Sequence, residues 1–214
     1  MAALFQNKYR INSSRLSGFD YAQDGYYFVT ICTQNRESLF GEIRNGKMML
    51  NELGKIVAAE WNQTAKIRHN VKLDAFVVMP NHLHGIVVID NWNDGKNVET
   101  HCNAFIKNDM WSEKIMGTNV DRDVARNVST SMAEKFSKIS PKSGSLAAII
   151  RGFKSATTKQ IHQIAPALDR VWQARFHDHI IRGEDELNRI RDYIRLNPDN
   201  WAKDEVNLES QRCC

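Results

Sequence analysis

Residues 74–89 read Asp74-Ala75-Phe76-Val77-Val78-Met79-Pro80-Asn81-His82-Leu83-His84-Gly85-Ile86-Val87-Val88-Ile89. Asp74–Met79 and Leu83–Ile89 are short runs rich in β-branched and aromatic side chains, and each predicts a strand. Pro80-Asn81 between them supplies a turn, so the two strands form a hairpin. Two histidines one residue apart on such a strand point to the same face. Leu83, between them, points to the other face and into a core.

Working outward, Tyr26–Thr33 is a strand rich in aromatic and β-branched residues, bounded by Gly25 and Gln34-Asn35. Phe40 to Leu50 surrounds Asn45-Gly46, a dipeptide that favours a tight hairpin turn. Leu53, Ile56, Val57 and Trp61 fall at helical spacing and predict a helix over about residues 52–66. Downstream, Leu146, Ile149, Ile150, Phe153 and Ile161 mark a helical stripe over Ser145–Ile164, with Ser145 as its cap. A last strand is predicted over Val171–Arg182. A last helix over 183–198 opens with the acids Glu184, Asp185 and Glu186, as the helix dipole favours, and ends at Pro198. Strands with helices between them predict an α+β fold, an antiparallel sheet covered by helices, for which the ferredoxin-like arrangement is the nearest common solution.

Residues 1–25 read as a polar arm and 91–142 as a flexible insertion, with seven asparagines between Asn91 and Asn127 and no sustained apolar period. Thr130–Phe136 is the one place in it where a short helix is expected. The whole of 1–214 is expected to form a single domain.

The chain has 214 residues, with 42% hydrophobic and 25% charged, which excludes a disordered or low-complexity protein. No apolar run approaches the roughly 18 residues needed to span a bilayer. A cytoplasmic protein without a membrane partner is expected. Four scattered cysteines without a C-x-x-C pair point away from a disulfide framework and from a cysteine zinc site. A formal charge of +4 permits a polyanionic partner without requiring one.

The candidate chemistry sits on three residue types. His82 and His84 form half of a divalent metal site, although a bare His-x-His also fits a turn cap beside a surface histidine. A second such pair, His177-Asp178-His179, shows how unspecific the pattern is. Tyr193 falls at the edge of the stripe made by Leu187, Ile190 and Ile194, where amphipathic packing is the ordinary reading. Asn197 is four residues on and stacks beside it. In combination they say more. A metal on two imidazoles polarises a phosphodiester, a tyrosine hydroxyl attacks phosphorus, and the Asn197 amide oxygen completes the metal site.

The sequence resembles the REP-associated tyrosine transposases, a branch of the single-tyrosine HUH transposase superfamily. The resemblance rests on Arg15-Leu16-Ser17-Gly18-Phe19-Asp20-Tyr21 and Tyr27-Phe28-Val29-Thr30-Ile31-Cys32-Thr33-Gln34-Asn35-Arg36. It continues through Met79-Pro80-Asn81-His82-Leu83-His84-Gly85 and Ile150-Arg151-Gly152-Phe153-Lys154-Ser155. It ends with Val171-Trp172-Gln173, His179-Ile180-Ile181-Arg182 and Asp192-Tyr193-Ile194 with Asn197-Pro198. It implies a ferredoxin-like HUH nuclease core with the histidines on a central strand, acting in the bacterial cytoplasm at the nucleoid. It implies cleavage of single-stranded DNA near a hairpin with Mg²⁺ or Mn²⁺, and transfer of the strand through a 5′-phosphotyrosine. His82, His84 and Asn197 are then the metal ligands and Tyr193 the nucleophile. Arg15 in the arm, Arg151 and Lys154 on an acid-free helix, Trp172 as a stacking platform and His179 are the expected DNA contacts. The enzyme is expected to act as a monomer or homodimer. Two other classes remain open. One is a hairpin-binding protein that no longer cleaves. The other is a metallohydrolase with a structural tyrosine, disfavoured because no acid beside the histidines stands out as a ligand.

Overall fold

The computed structural model describes Leu16 and residues 18–91, 141–204 and 206–207. Arg15, most of the expected insertion and the expected helix at Thr130–Phe136 lie outside the described residues. Among the described residues are six strands and three α-helices, in the order β1 (Gly25–Cys32), β2 (Gly41–Arg44), β3 (Lys47–Leu50), α1 (Glu52–Lys66), β4 (Val71–Val78), β5 (His82–Ile89), α2 (Leu146–Ile164), β6 (His177–Ile181) and α3 (Glu184–Leu196).

The main sheet has the strand order β4-β5-β1-β6, with every neighbouring pair antiparallel. With α1 between β1 and β4 and α2 between β5 and β6, this is the ferredoxin-like βαββαβ pattern. The α+β expectation holds. β2 and β3 form a separate ribbon around Asn45 and Gly46, whose φ values of 51° and 72° are those a tight hairpin turn requires.

Alternation along the strands divides the side chains between two faces. Tyr27, Val29 and Ile31 of β1 and Leu83, Val87 and Ile89 of β5 join Val57 and Trp61 of α1 and Ile149, Ile150 and Phe153 of α2 in one large core. Gly85 permits this packing: a Cβ there would fall 2.5 Å from the Trp61 ring. The other face carries a small cluster of Ile86, Ile181, Leu187 and Ile194, covered by α3.

Several boundaries differ from expectation. β4 starts three residues earlier than the sequence predicts, because its register shifts between Leu73 and Phe76 and breaks the alternation that marks a strand. The last strand is much shorter than Val171–Arg182. Val171 and Trp172 make only an isolated bridge, Trp172 with Thr33, and pairing with β1 resumes at His177. The helices match well. Ser145 Oγ accepts the Ala148 N–H, and Asn51 Oδ1 accepts that of Gly54. No helix among the described residues is long and apolar enough to cross a membrane.

Candidate functional site

β5 is an inner strand, so a side chain on its α3 face is surrounded by neighbours. His82 pairs with Cys32 of β1 and His84 with Thr30. Both imidazoles are almost fully buried, and their ring centroids lie 4.4 Å apart.

The hydrogen bonds settle which nitrogen of His82 holds the proton. Asn81 Nδ2 donates to the carbonyls of Arg36 and Val206, so its Oδ1 faces His82 Nδ1 at 2.8 Å and can only accept. Nδ1 therefore carries the hydrogen and Nε2 the lone pair. That Nε2 is buried and has no hydrogen-bond partner among the described residues. His84 has the same arrangement open to it: Nδ1 lies 2.8 Å from Thr30 Oγ1, and Nε2 lies 3.2 Å from the Tyr193 hydroxyl. Nδ1 held by a protein oxygen with Nε2 turned inward is the usual posture of a metal-binding histidine.

Electrostatics agree. Burial, helped by the charge of Arg36, lowers the pKa of His82 to about 3. Burial first, then His82 and His177, holds that of His84 well below the usual value, against the opposing pull of Asp204. Both rings stay neutral near pH 7, the form that coordinates metals.

Asp204 joins the group, and Asn197 adjoins it. Asp204 Oδ2 lies 4.0 Å from His82 Nε2, and its side chain is buried. One ligand atom each from His82, His84 and Asp204 falls within 4.8 Å of the other two. Asn197 Nδ2 donates to Asp204 Oδ2 at 3.2 Å, which leaves its buried Oδ1 without a hydrogen-bond partner among the described residues. Two neutral imidazoles and a carboxylate suit a divalent cation. The orphaned Nε2 of His82 is an atom such an ion would satisfy.

The segment after α3 closes over this group. The Trp201 ring lies 6.0 Å from His82 at a 31° tilt, and Asp204 Oδ1 accepts the Val206 N–H. Tyr193 stands beside it, half exposed, with its ring edge-on to Phe28 and His84. The hydroxyl of a half-exposed tyrosine thus meets a buried histidine nitrogen.

Of the expected site residues, His82, His84, Tyr193 and Asn197 come together. The expected DNA contacts do not join them. Trp172 is a correction: it is 7% exposed, packs on Phe40 and Phe153, and donates Nε1 to Thr157 Oγ1 at 2.9 Å. A base cannot reach its face. Lys154 is a second correction, because Nζ donates to the carbonyls of Gln173 and Arg175 at 2.8 and 2.9 Å. Burial lowers its pKa to about 8, and the amine ties down the loop after α2 rather than facing a phosphate. Arg151 is exposed on α2, across the sheet from the histidines. His179 shares the histidine face but sits on edge strand β6, with Nε2 2.8 Å from Glu186 Oε1.

Asp204 escaped the sequence reading, which took the lack of an acid near the histidines as a mark against a metallohydrolase. Nothing local in the sequence distinguishes Asp204 from the chain's other acids, since it lies more than a hundred residues from His82. Asn81 was legible only as a turn residue.

No protein-family model matches the chain. It is 33% identical over 197 residues to a Haemophilus influenzae protein described as uncharacterized, across 92% of this chain and 93% of that protein. It is also similar to a solved structure of a REP-associated tyrosine transposase bound to a REP hairpin. The TM-score is 0.50 and the identity 18%, over 89% of this chain and 74% of that one. At that identity the likeness speaks for the fold.

Proposed function

The chain belongs to one family with the Haemophilus influenzae protein and has the fold of a REP-associated tyrosine transposase; from that premise we propose that it cleaves and rejoins single-stranded DNA at hairpin elements through Tyr193. The observation that carries this reading is the Tyr193 hydroxyl, 3.2 Å from a histidine nitrogen in a cluster of two buried imidazoles and a carboxylate.

His82 and His84 would hold a divalent cation through Nε2, with Asp204 and Asn197 offering oxygens. Such an ion, Mg²⁺ or Mn²⁺, supplies charge neutralisation at the scissile phosphate when bound. The remaining roles belong to the chain. Asn81 and Thr30 fix the two rings. Tyr193 replaces the 3′ oxygen on phosphorus, so one phosphodiester bond is exchanged for another. The 3′ oxygen leaves as a hydroxyl, taking up the proton that the phenol gives up. The phosphotyrosine keeps the bond energy, so a second 3′ end can reverse the step without a nucleotide cofactor. Arg15 remains a candidate for a phosphate contact, as does Arg151, which lies away from the reacting centre.

The test is a denaturing gel of the protein with labelled hairpin DNA and Mn²⁺, beside Tyr193→Phe. A covalent adduct that vanishes in the variant is the expected result. Hairpin binding without an adduct would leave a binding protein. DNA hydrolysis that survives in Tyr193→Phe would leave a metallohydrolase.

A further inference from the structure

α3 carries the tyrosine, yet it is poorly anchored by apolar contacts: only Leu187 and Ile194 on it are buried. Most helices take their place from a wide apolar stripe. Here polar attachments at both edges of the sheet do much of that work. At the start of α3, Glu186 Oε2 accepts the Arg182 N–H at 2.8 Å and Oε1 meets His179 of β6. More than a turn later, Arg191 reaches β4. Its Nε donates to Asp74 Oδ1 at 2.9 Å and its Nη2 to Oδ2 at 2.6 Å.

Asp74 stands in the register shift of β4, between Leu73 and Phe76. Leu73 and Phe76 both face the large core, so the two residues between them, Asp74 and Ala75, both fall on the α3 face. Its Oδ1 also accepts the Ala75 N–H at 2.6 Å, which fixes the carboxylate plane. A two-pronged guanidinium–carboxylate contact sets orientation as well as distance, which a single contact does not.

The geometry points to Asp74 and Arg191 as a positioning pair that sets the rotation of α3 and so the place of the Tyr193 hydroxyl. The inference rests on Tyr193 being the nucleophile. Among the described residues, neither touches the histidine cluster through a hydrogen bond. Arg191 and Tyr193 are two positions apart, roughly 200° around the helix, so the fork holds one side while the tyrosine faces the site. A side-chain tip about 5 Å from the axis moves about 2 Å for a rotation of about 20°. Misplacement of a reacting atom by about 1 Å can cost on the order of 100-fold in rate.

The test compares Asp74→Asn and Arg191→Lys with the unaltered protein. Asp74→Asn keeps the shape and removes the charge; Arg191→Lys keeps the charge and removes the fork. Three quantities are read: the single-turnover rate of adduct formation, hairpin affinity, and Mn²⁺ broadening of the fluorine signal of 3-fluorotyrosine at position 193, assigned with Tyr193→Phe. Both variants are expected to form adduct at least about tenfold more slowly, with hairpin affinity unchanged and weaker broadening at position 193. Wild-type rates and broadening in both variants would overturn the inference alone. If Asp74→Asn fails to fold, Arg191→Lys decides. If the unaltered protein forms no adduct, the tyrosine reading falls and this inference with it.

Discussion

The two faces of the main sheet are built from opposite materials. On one, α1 and α2 seal a dense apolar core around Trp61, Phe153 and Trp172. On the other, α3 covers a cluster of four buried apolar residues beside two buried imidazoles, an amide and a carboxylate. The first face stabilises the fold and leaves little free to react. The second leaves Nε2 of His82 and Oδ1 of Asn197 without hydrogen-bond partners among the described residues, where the first leaves Nε1 of Trp61. Stability and chemistry are thus separated by the thickness of one sheet.

The sharpest way to break this division is to exchange the effects of substitutions on the two faces. Tyr193→Phe should reduce adduct formation below detection and change unfolding free energy by no more than about 0.5 kcal/mol, because the ring is half exposed. Gel labelling and urea denaturation check the two halves. Phe153→Ala, on the packed face, should do the reverse and cost about 3–5 kcal/mol of stability. Adduct formation per folded molecule should stay intact.

Asn81→Ala removes the oxygen that holds His82 Nδ1 and should weaken Mn²⁺ binding about 10–100-fold, measured by calorimetry. Unchanged affinity would mean that the ring needs no support. Trp172→Phe removes one buried hydrogen bond to Thr157 and should cost about 1–2 kcal/mol with hairpin affinity unchanged. Loss of affinity without loss of stability would restore the stacking role.

The smallest effect at neutral pH concerns protons. The folded state keeps His82 neutral down to about pH 3, whereas an unfolded histidine takes up a proton near 6.5. Between those values the unfolded chain binds more protons, so stability is complete above about 6.5 and falls as pH drops toward 3. Urea midpoints at pH 7 and pH 5 should show the fall, and His82→Gln should flatten it.

Much of this was legible in the sequence because it is periodic or local. The strand of Leu83–Ile89, the stripe of α2 and the Asn45-Gly46 turn each follow from spacing or backbone preference. Tyr193 and Asn197 share a helix face by the same arithmetic. The β4 start was hidden because a bulge interrupts the period that announces a strand. Trp172 and Lys154 were misjudged because residue type says what a side chain can do, while burial decides whether it is free to do it.

The sequence by itself determined the helices, the order of the elements, the α+β class and the pairing of His82 with His84, because those depend on neighbours a few residues apart. Only the tertiary structure brought Asp204 to the histidines, placed the Tyr193 hydroxyl at His84 and joined Arg191 to Asp74. Such contacts span up to more than a hundred residues, and no local preference encodes them. They follow from how the whole chain packs its two faces, since the depth of each pocket and the tilt of each helix are properties of that packing.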